Sequence, residues 1–337
     1  MSQDDRSLAA EKIQRMLTGA WIGQAVYAVA KLNIAELLRD GPKSAAELAR
    51  TTGTHEEALY RLLRTVVSLG IFTRSRTTFA LNPLGEVLLP DADHSKWAMA
   101  VMLGEEHHRA WGEILYSIRT GLPAFDHIYG EGIFDYLGKH PEQGKIFDAA
   151  MTNVHGRETA AMIAAYDFSP FQTLVDVGGG NGSLIATILK RYPALRGMLY
   201  DLPHVVERAK PRLAAEGVAE RCEAVGGSFF ESVPQGADAY LMRHIIHDWD
   251  DERAQAILRN CRAAMKTDGR VLLIEAVIPE SDELGFGKLL DLNMLVMPGG
   301  KERTAAEYQT LFAACDLRLL RVVPTDAEVQ VIEATAA

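Results

Sequence analysis

Apolar residues in the first half of the chain recur at helical spacing, across Leu8–Leu38 and again from Ser44 to Leu69. Up to about Ala165 the pattern reads almost wholly helical. After Ser169–Pro170 it changes to short β-rich runs alternating with amphipathic helical stretches. Strands are predicted at Thr173–Val177, Gly197–Asp201, Cys222–Val225, Ala239–Arg243, Gly269–Val277, Leu317–Val323 and Val329–Ala334. Strands separated by helices imply βαβ units and a mostly parallel sheet, so the fold class is α/β. Only a short break, Pro324–Thr325–Asp326, parts the last two runs. They are expected to form a hairpin that puts an antiparallel strand into the sheet.

Within the helical part, Ser44–Gly70 reads as a helix, a turn at Gly53, a second helix and a stop at Gly70. Ser44 and Glu47 have the spacing of a capping box. The stretch that follows, TRSRTTFALNPLGEVLL, reads as a short β-wing and a helix. This is the texture of a winged helix, and Arg61 and Arg64 lie on its second helix. The two readings are a DNA-binding module and a packing or dimerisation unit. The charge of the chain favours the second. Net charge is −10, and phosphate binding needs a basic face.

With 337 residues, 48% of them apolar, the chain is long enough for two buried cores. Its three cysteines, Cys222, Cys261 and Cys315, are few and widely spaced, which fits reduced thiols in the cytoplasm better than a disulfide framework. The first residues, MSQDDRSLAAEKIQ, are polar and acidic and do not read as a signal peptide. No apolar run approaches a membrane span. Neither nucleic acid nor membrane is an expected partner.

Chemistry concentrates in two places. The first is LVDVGGGNG, Leu174 to Gly182, where a buried strand runs into a glycine turn and then a helix. Glycines there allow positive φ and close approach of a ligand, and the helix beyond offers free N–H groups. The pattern Asp176-x-Gly178-x-Gly180-x-Gly182 is one residue shorter than the dinucleotide fingerprint, which favours a ligand without a pyrophosphate. Asp201, ending the next strand, is placed to hydrogen-bond ribose hydroxyls or to cap the helix that starts near Pro203. After the third strand, Phe229 and Phe230 are placed to flank a flat ring or simply to pack.

The second place is AYLMRHIIHDWDDE, Ala239 to Glu252. Its strand ends near Arg243, which sets His247 at the carboxyl edge of the sheet, where ligands of open α/β folds bind. A histidine there can serve as a general base. Glu275, ending the next strand, and Glu302, in the loop PGGKERT, are acids that could orient it. Three other readings stand beside this one. His244, His247 and Asp248 could bind a metal, His247 could be a plain capped histidine, and Asp248, Asp250 and Asp251 could form a helix N-cap. His107 and His108 read as a surface pair on a helix.

Taken together, LVDVGGGNG, YDLPHV, GGSFF, HDWDDE and PGGKERT resemble the small-molecule O-methyltransferases of plants and bacteria, which include caffeic acid and hydroxyindole O-methyltransferases. The resemblance runs from the N-terminal helices to EVQVIEA. It implies a winged-helix-like dimerisation domain at 1–100, linking helices at 101–165 that contribute to the acceptor pocket, and a Rossmann-like methyltransferase domain at 166–337. It also implies S-adenosylmethionine as methyl donor, S-adenosylhomocysteine as product, no metal, and a homodimer. On that match Asp176, Gly178, Gly180, Asp201, Leu202, Ser228, Phe229 and Arg243 hold the cofactor. Ser228 and Phe229 depart from the family's usual Asp-Met, and Arg243 stands where plant members often have Lys. His247 matches the catalytic base, with Glu275 and Glu302 as its supporting acids. Phe147, Met151, Asp248, Asn293, Met294 and Met297 match positions facing the acceptor, expected to be a small aromatic molecule with a hydroxyl group.

Carbon or nitrogen methylation by the same fold is the alternative. A winged-helix regulator sensing S-adenosylmethionine or a metabolite is a different class, and a catalytically silent dimer partner is a third. The regulator would need a basic recognition helix, and the silent partner would lack a base.

Overall fold

The computed structural model describes the backbone of residues 3–337 and the side chains of 5–152 and 156–337. The chain divides into two compact units, one made of 1–112 and 133–155, the other of 113–132 and 156–337.

In the first unit the helical run predicted over Leu8–Leu38 is three helices, Gln3–Leu17, Gly19–Lys31 and Ile34–Leu37. Helices Ala45–Thr52 and Glu56–Ser68 follow, separated by Gly53 in the left-handed region. Ser44 and Glu47 do form a reciprocal capping box. The wing is present as Thr73–Ser75 and Thr78–Ala80, and a third strand that the pattern did not reveal, Lys43–Ser44, pairs with it. Two residues are too few to show an alternation. Leu48, Leu63, Val66 and Phe79 close the core of this module. His107 and His108 are not a surface pair. His107 is buried, and desolvation pushes its imidazole down to about 4, against a hydrogen bond with the Met102 backbone.

The second unit holds a seven-stranded sheet. Its strands are β1 (Thr173–Val177), β2 (Arg196–Asp201), β3 (Cys222–Gly226), β4 (Ala239–Arg243), β5 (Arg270–Glu275), β6 (Leu317–Val323) and β7 (Gln330–Ala336). The spatial order is β6-β7-β5-β4-β1-β2-β3. Strands β1 to β5 run parallel, and β7 lies antiparallel to both β5 and β6. The predicted hairpin is therefore present. The run expected as one strand to Val277 ends instead at Glu275, and Val277–Ile278 pairs separately with Arg303–Thr304. That detour lets two chain segments meet beside the end of β5.

Alternation along the strands feeds two cores. Val175, Tyr240, Met242, Val271, Leu273 and Ile332 enter one face. Leu174, Leu199, Leu241, Leu272, Ile274 and Val331 enter the other. The topology reverses between β1 and β4, which is where open α/β sheets leave a crevice at their carboxyl ends. Among the described residues no helix is long and apolar enough to cross a membrane.

Leu241 lies in the centre of β4 and is fully buried. Truncation to Ala should cost about 3 kcal/mol in denaturant unfolding, while Leu320→Ala, on exposed β6, should cost less than about 0.5 kcal/mol. Equal losses at the two positions would contradict the placement of this core.

Candidate active site

The glycine turn leaves β1 with its main chain tied to β2. Gly178 N–H donates to Tyr200 O at 2.8 Å, and Gly180 N–H to the Asp201 carboxylate at 2.9 Å. Gly178 has φ +69°, and a Cβ there would stand 2.4 Å from the Ile245 side chain. Gly180 has φ +56° and open space around it. The second oxygen of Asp201 accepts from Leu202 N–H at 2.7 Å. Asp201 therefore does not cap the helix Pro203–Ala215 through its side chain, since Leu202 holds the cap position. Its carboxylate still has lone pairs to spare for hydroxyl donors.

Asp176 is 1% exposed, and its Oδ2 has no hydrogen-bond partner among the described residues. Burial raises its carboxyl to about 7, against the pull of the Arg243 guanidinium, with Asp201 adding to the rise. Arg243, itself lowered by burial, donates to Thr159 Oγ1 at 2.8 Å. An orphaned buried carboxylate oxygen, an open glycine turn and a second carboxylate at the end of β2 suit a ligand with a cationic amino group and a ribose. Phe229 extends the site. Its ring meets Phe230 at 4.9 Å and Trp249 at 6.3 Å, both edge-on. Ser228 Oγ is used within its own turn, accepting from Phe230 N–H at 3.3 Å. The sequence-predicted residues Asp176, Gly178, Gly180, Asp201, Leu202, Ser228, Phe229 and Arg243 all belong to the second unit, at or just past strand ends.

Beyond β4 the chain makes a short 3-10 turn, Ile246–Asp248. Glu275, ending β5 with 0% exposure, directs Oε1 at three successive backbone N–H groups: Ile245 (3.2 Å), Ile246 (3.0 Å) and His247 (3.4 Å). Its Oε2 lies 3.5 Å from His247 Nδ1. Glu302, also fully buried, takes the direct hydrogen bond, with Oε1 2.6 Å from Nδ1. The two acids thus divide the work. Glu302 orients the imidazole, and Glu275 holds the backbone that carries it. Asp248 Oδ1 stands 3.5 Å from Nε2. Burial lowers the imidazolium, yet Glu275, Asp248 and Glu302 outweigh it and His247 is pushed up to about 10. Burial also raises Glu275, and raises Asp248 to about 6.

The expectation that Asp248, Asp250 and Asp251 cap a helix holds for one of them. Asp250 accepts from Arg253 N–H at 2.8 Å. Asp248 faces His247 instead, and Asp251 pairs with Arg303 at 2.7 Å. His244, His247 and Glu275 bring three candidate ligand atoms within 4.8 Å of one another. A cation seated there would have to displace the His247–Glu302 hydrogen bond.

Three residues that sequence reasoning missed build this site. Arg303 is fully buried and donates to Ile246 O, Trp249 O, Lys301 O and the Asp251 carboxylate. It staples the His247 turn to the Glu302 loop. Gly300 lies under the same contact, and a Cβ there would fall 2.0 Å from His247 O. Asp291 accepts Glu302 N–H at 3.0 Å from helix Phe286–Val296. An acid inside the apolar run FGKLLDLNMLV was the one available signal for it. Of the expected acceptor residues, Asn293 is half-buried, while Met294 and Met297 are buried in this unit. Phe147 and Met151 belong to the first unit, where Phe147 meets Phe134 edge-on at 6.5 Å. Replacing Arg303 by Met should cost about 3 kcal/mol in unfolding experiments, because buried carbonyls lose a charged donor. A cost below about 0.5 kcal/mol would show that the staple is not needed.

Residues 111–316 match the O-methyltransferase domain family, and residues 14–91 match the O-methyltransferase dimerisation domain. The chain is 46% identical to the phenazine O-methyltransferase PhzM of Lysobacter antibioticus over 321 residues, covering 95% of this chain and 94% of that protein. It superposes on the solved structure of the mitomycin 7-O-methyltransferase MmcR with TM-score 0.93 and 39% identity, covering all of both chains. An O-methyltransferase of neocarzinostatin biosynthesis, solved with S-adenosylmethionine and 2-hydroxy-5-methyl naphthoic acid, matches with TM-score 0.84 and 36% identity over 94% of this chain and 96% of that one. The chain belongs to the S-adenosylmethionine-dependent O-methyltransferase family, with that family's dimerisation domain ahead of its methyltransferase domain.

Proposed function

We propose that this protein methylates a hydroxyl group of a small aromatic metabolite without a metal, with His247 as general base, and that it works as a homodimer. The observation that carries the reading is the His247 imidazole held by Glu302 at 2.6 Å on Nδ1, with Nε2 on the other side of the ring beside Asp248. The relatives support the acceptor class through the phenazine and naphthoic acid in their names, and the dimerisation domain supports the assembly. Three unpaired, buried cysteines suit a reducing, cytoplasmic setting.

Gly178, Gly180 and Asp176 would hold the amino-acid end of S-adenosylmethionine, Asp201 its ribose, and Phe229 the adenine face, with Leu202, Ser228 and Arg243 close by. When bound, that cofactor supplies a methyl group on a cationic sulfur. The protein's own task is then to orient the acceptor oxygen, keep water out and take one proton. Phe147, Met151, Asp248, Asn293, Met294 and Met297 are assigned to the acceptor. A phenol with pKa near ~10 keeps its proton at neutral pH. His247 is raised to about 10, so donor and base are matched and transfer is nearly level in energy. The same match has a consequence for pH. Free His247 carries its proton below about 10 and is a base only once that proton leaves. The rate with a neutral phenol should therefore climb with pH through the neutral and mildly alkaline range.

A second reading is nitrogen methylation, since one relative, 33% identical over 98% of this chain, is the phenazine-1-carboxylate N-methyltransferase of Pseudomonas aeruginosa. A ring nitrogen without a proton needs no base.

Transfer of labelled methyl from S-adenosylmethionine to hydroxylated phenazines and naphthoates, with chelator present, tests the proposal. Wild type should turn over, and His247→Ala should lose about a hundredfold or more in kcat while keeping cofactor affinity. Full activity in His247→Ala, or strict dependence on added metal, would overturn it.

A further inference from the structure

His107 is 6% exposed, and the Met102 carbonyl engages its ring. That carbonyl lies in the last turn of helix Trp97–Gly104, which breaks at Glu105 (φ −103°, ψ −104°) before helix Glu106–Gly112 begins. Carbonyls of a last turn have no partner inside their own helix, so the break gives the imidazole N–H somewhere to go. A neutral imidazole has one N–H and one bare nitrogen. Burial pushes this ring down to about 4, so near neutral pH it keeps that form. The Met102 carbonyl uses the N–H, and the bare nitrogen is left with a lone pair that calls for a donor. Among the described residues none is supplied, and Nδ1 makes no hydrogen bond. Met102 also belongs to a small apolar cluster with Ala98 and Ala150. Phe147 and Met151 pack against that cluster and stay half-buried. All of these residues lie in the first unit.

We propose that His107 determines specificity for the methyl acceptor, its bare nitrogen taking a hydrogen bond from a second O–H or N–H of a flat aromatic molecule held by Phe147 and Met151. The proposal rests on reading Phe147 and Met151 as residues that face the acceptor. A ring kept for packing alone would cost less as Leu or Phe, because a buried nitrogen without a partner has lost its water for nothing. A ring kept to close the broken helix needs only the N–H that meets Met102. The second nitrogen is the part that neither role uses, and it sits on the residue whose side chain backs Phe147 and Met151. Its chemistry selects. A lone pair welcomes a hydroxyl or an N–H, and it repels a carbonyl or carboxylate oxygen brought to the same place. The molecule so recognised carries two donor groups, one that is methylated and one that His107 reads and that survives in the product.

The test measures kcat/KM for dihydroxyphenazines and dihydroxynaphthoates, each against its monohydroxy counterpart, with full-length protein and saturating S-adenosylmethionine. Wild type should prefer the best dihydroxy acceptor over its counterpart by about tenfold or more, the effect of one buried neutral hydrogen bond. His107→Leu should erase that preference by losing rate on the dihydroxy acceptor and sparing the monohydroxy one. His107→Gln should keep most of it, since one amide can serve both the Met102 carbonyl and the second hydroxyl. No preference in wild type, or a preference that survives His107→Leu, overturns the proposal. So does an equal loss on both acceptors, which is the mark of a merely structural residue. If His107→Leu does not fold, nitrogen-15 spectra of histidine-labelled wild type decide. The His107 signals, identified by their loss in His107→Gln, should shift at the bare nitrogen with the dihydroxy probe and not with the monohydroxy one, and no shift overturns the proposal. Phe147→Ala keeps the two readings apart, because it should raise KM for both probes alike. If it changes neither while His107→Leu still erases the preference, the reading of Phe147 falls and that of His107 stands.

Discussion

Everything in the candidate active centre hangs on one buried carboxylate receiving three backbone N–H groups. Glu275 is fully enclosed, and its Oε1 gathers the amides of Ile245, Ile246 and His247. Those amides begin a turn whose donors have no partners within it, so the carboxylate meets an unanswered need and fixes the turn's direction. Removing it would leave buried donors open and release the segment that carries the imidazole. The site is rigid because its foundation is main chain and not side chain alone.

That foundation explains the positions of the other polar groups. Once the turn is fixed, Arg303 joins it to the loop bearing Glu302, and Gly300 lets the two backbones touch. Asp291 then holds Glu302 by its amide. The detour between Glu275 and Val277, with its brief pairing to Arg303–Thr304, is what brings this loop under the turn. Three carboxylates and one imidazole are costly to bury together. They are tolerated because each is hydrogen-bonded or paired, and the resulting field raises His247 into the range of a phenol.

Much of this was readable from the chain. LVDVGGGNG announced its turn because buried apolar residues stop abruptly at glycines, and the alternation of apolar runs with amphipathic stretches set out the sheet. That His247, Glu275 and Glu302 would meet was expected partly from His247 at the carboxyl edge of the sheet and Glu275 at a strand end, and partly, as for Glu302 in its loop, from likeness to known O-methyltransferases. The supporting residues were not. Arg303 in KERT looks like any surface arginine, since nothing local shows that loop folding over another. Asp248 sits among three aspartates with equal claim to a helix cap, and only the turn's geometry sends it toward His247. His107 beside His108 gave no sign that one would be buried. Pairs such as His244 and Glu158, 86 residues apart, exist only once the helix and the sheet have met.

The most direct test of the central claim uses a panel of phenols of graded acidity at one pH, comparing wild type with His247→Gln. If His247 takes the proton, the rate ratio should be large for acceptors that keep their proton and should fall toward one for acceptors already ionised. A ratio that stays constant across the panel would contradict the assignment, and would mean that His247 serves position alone.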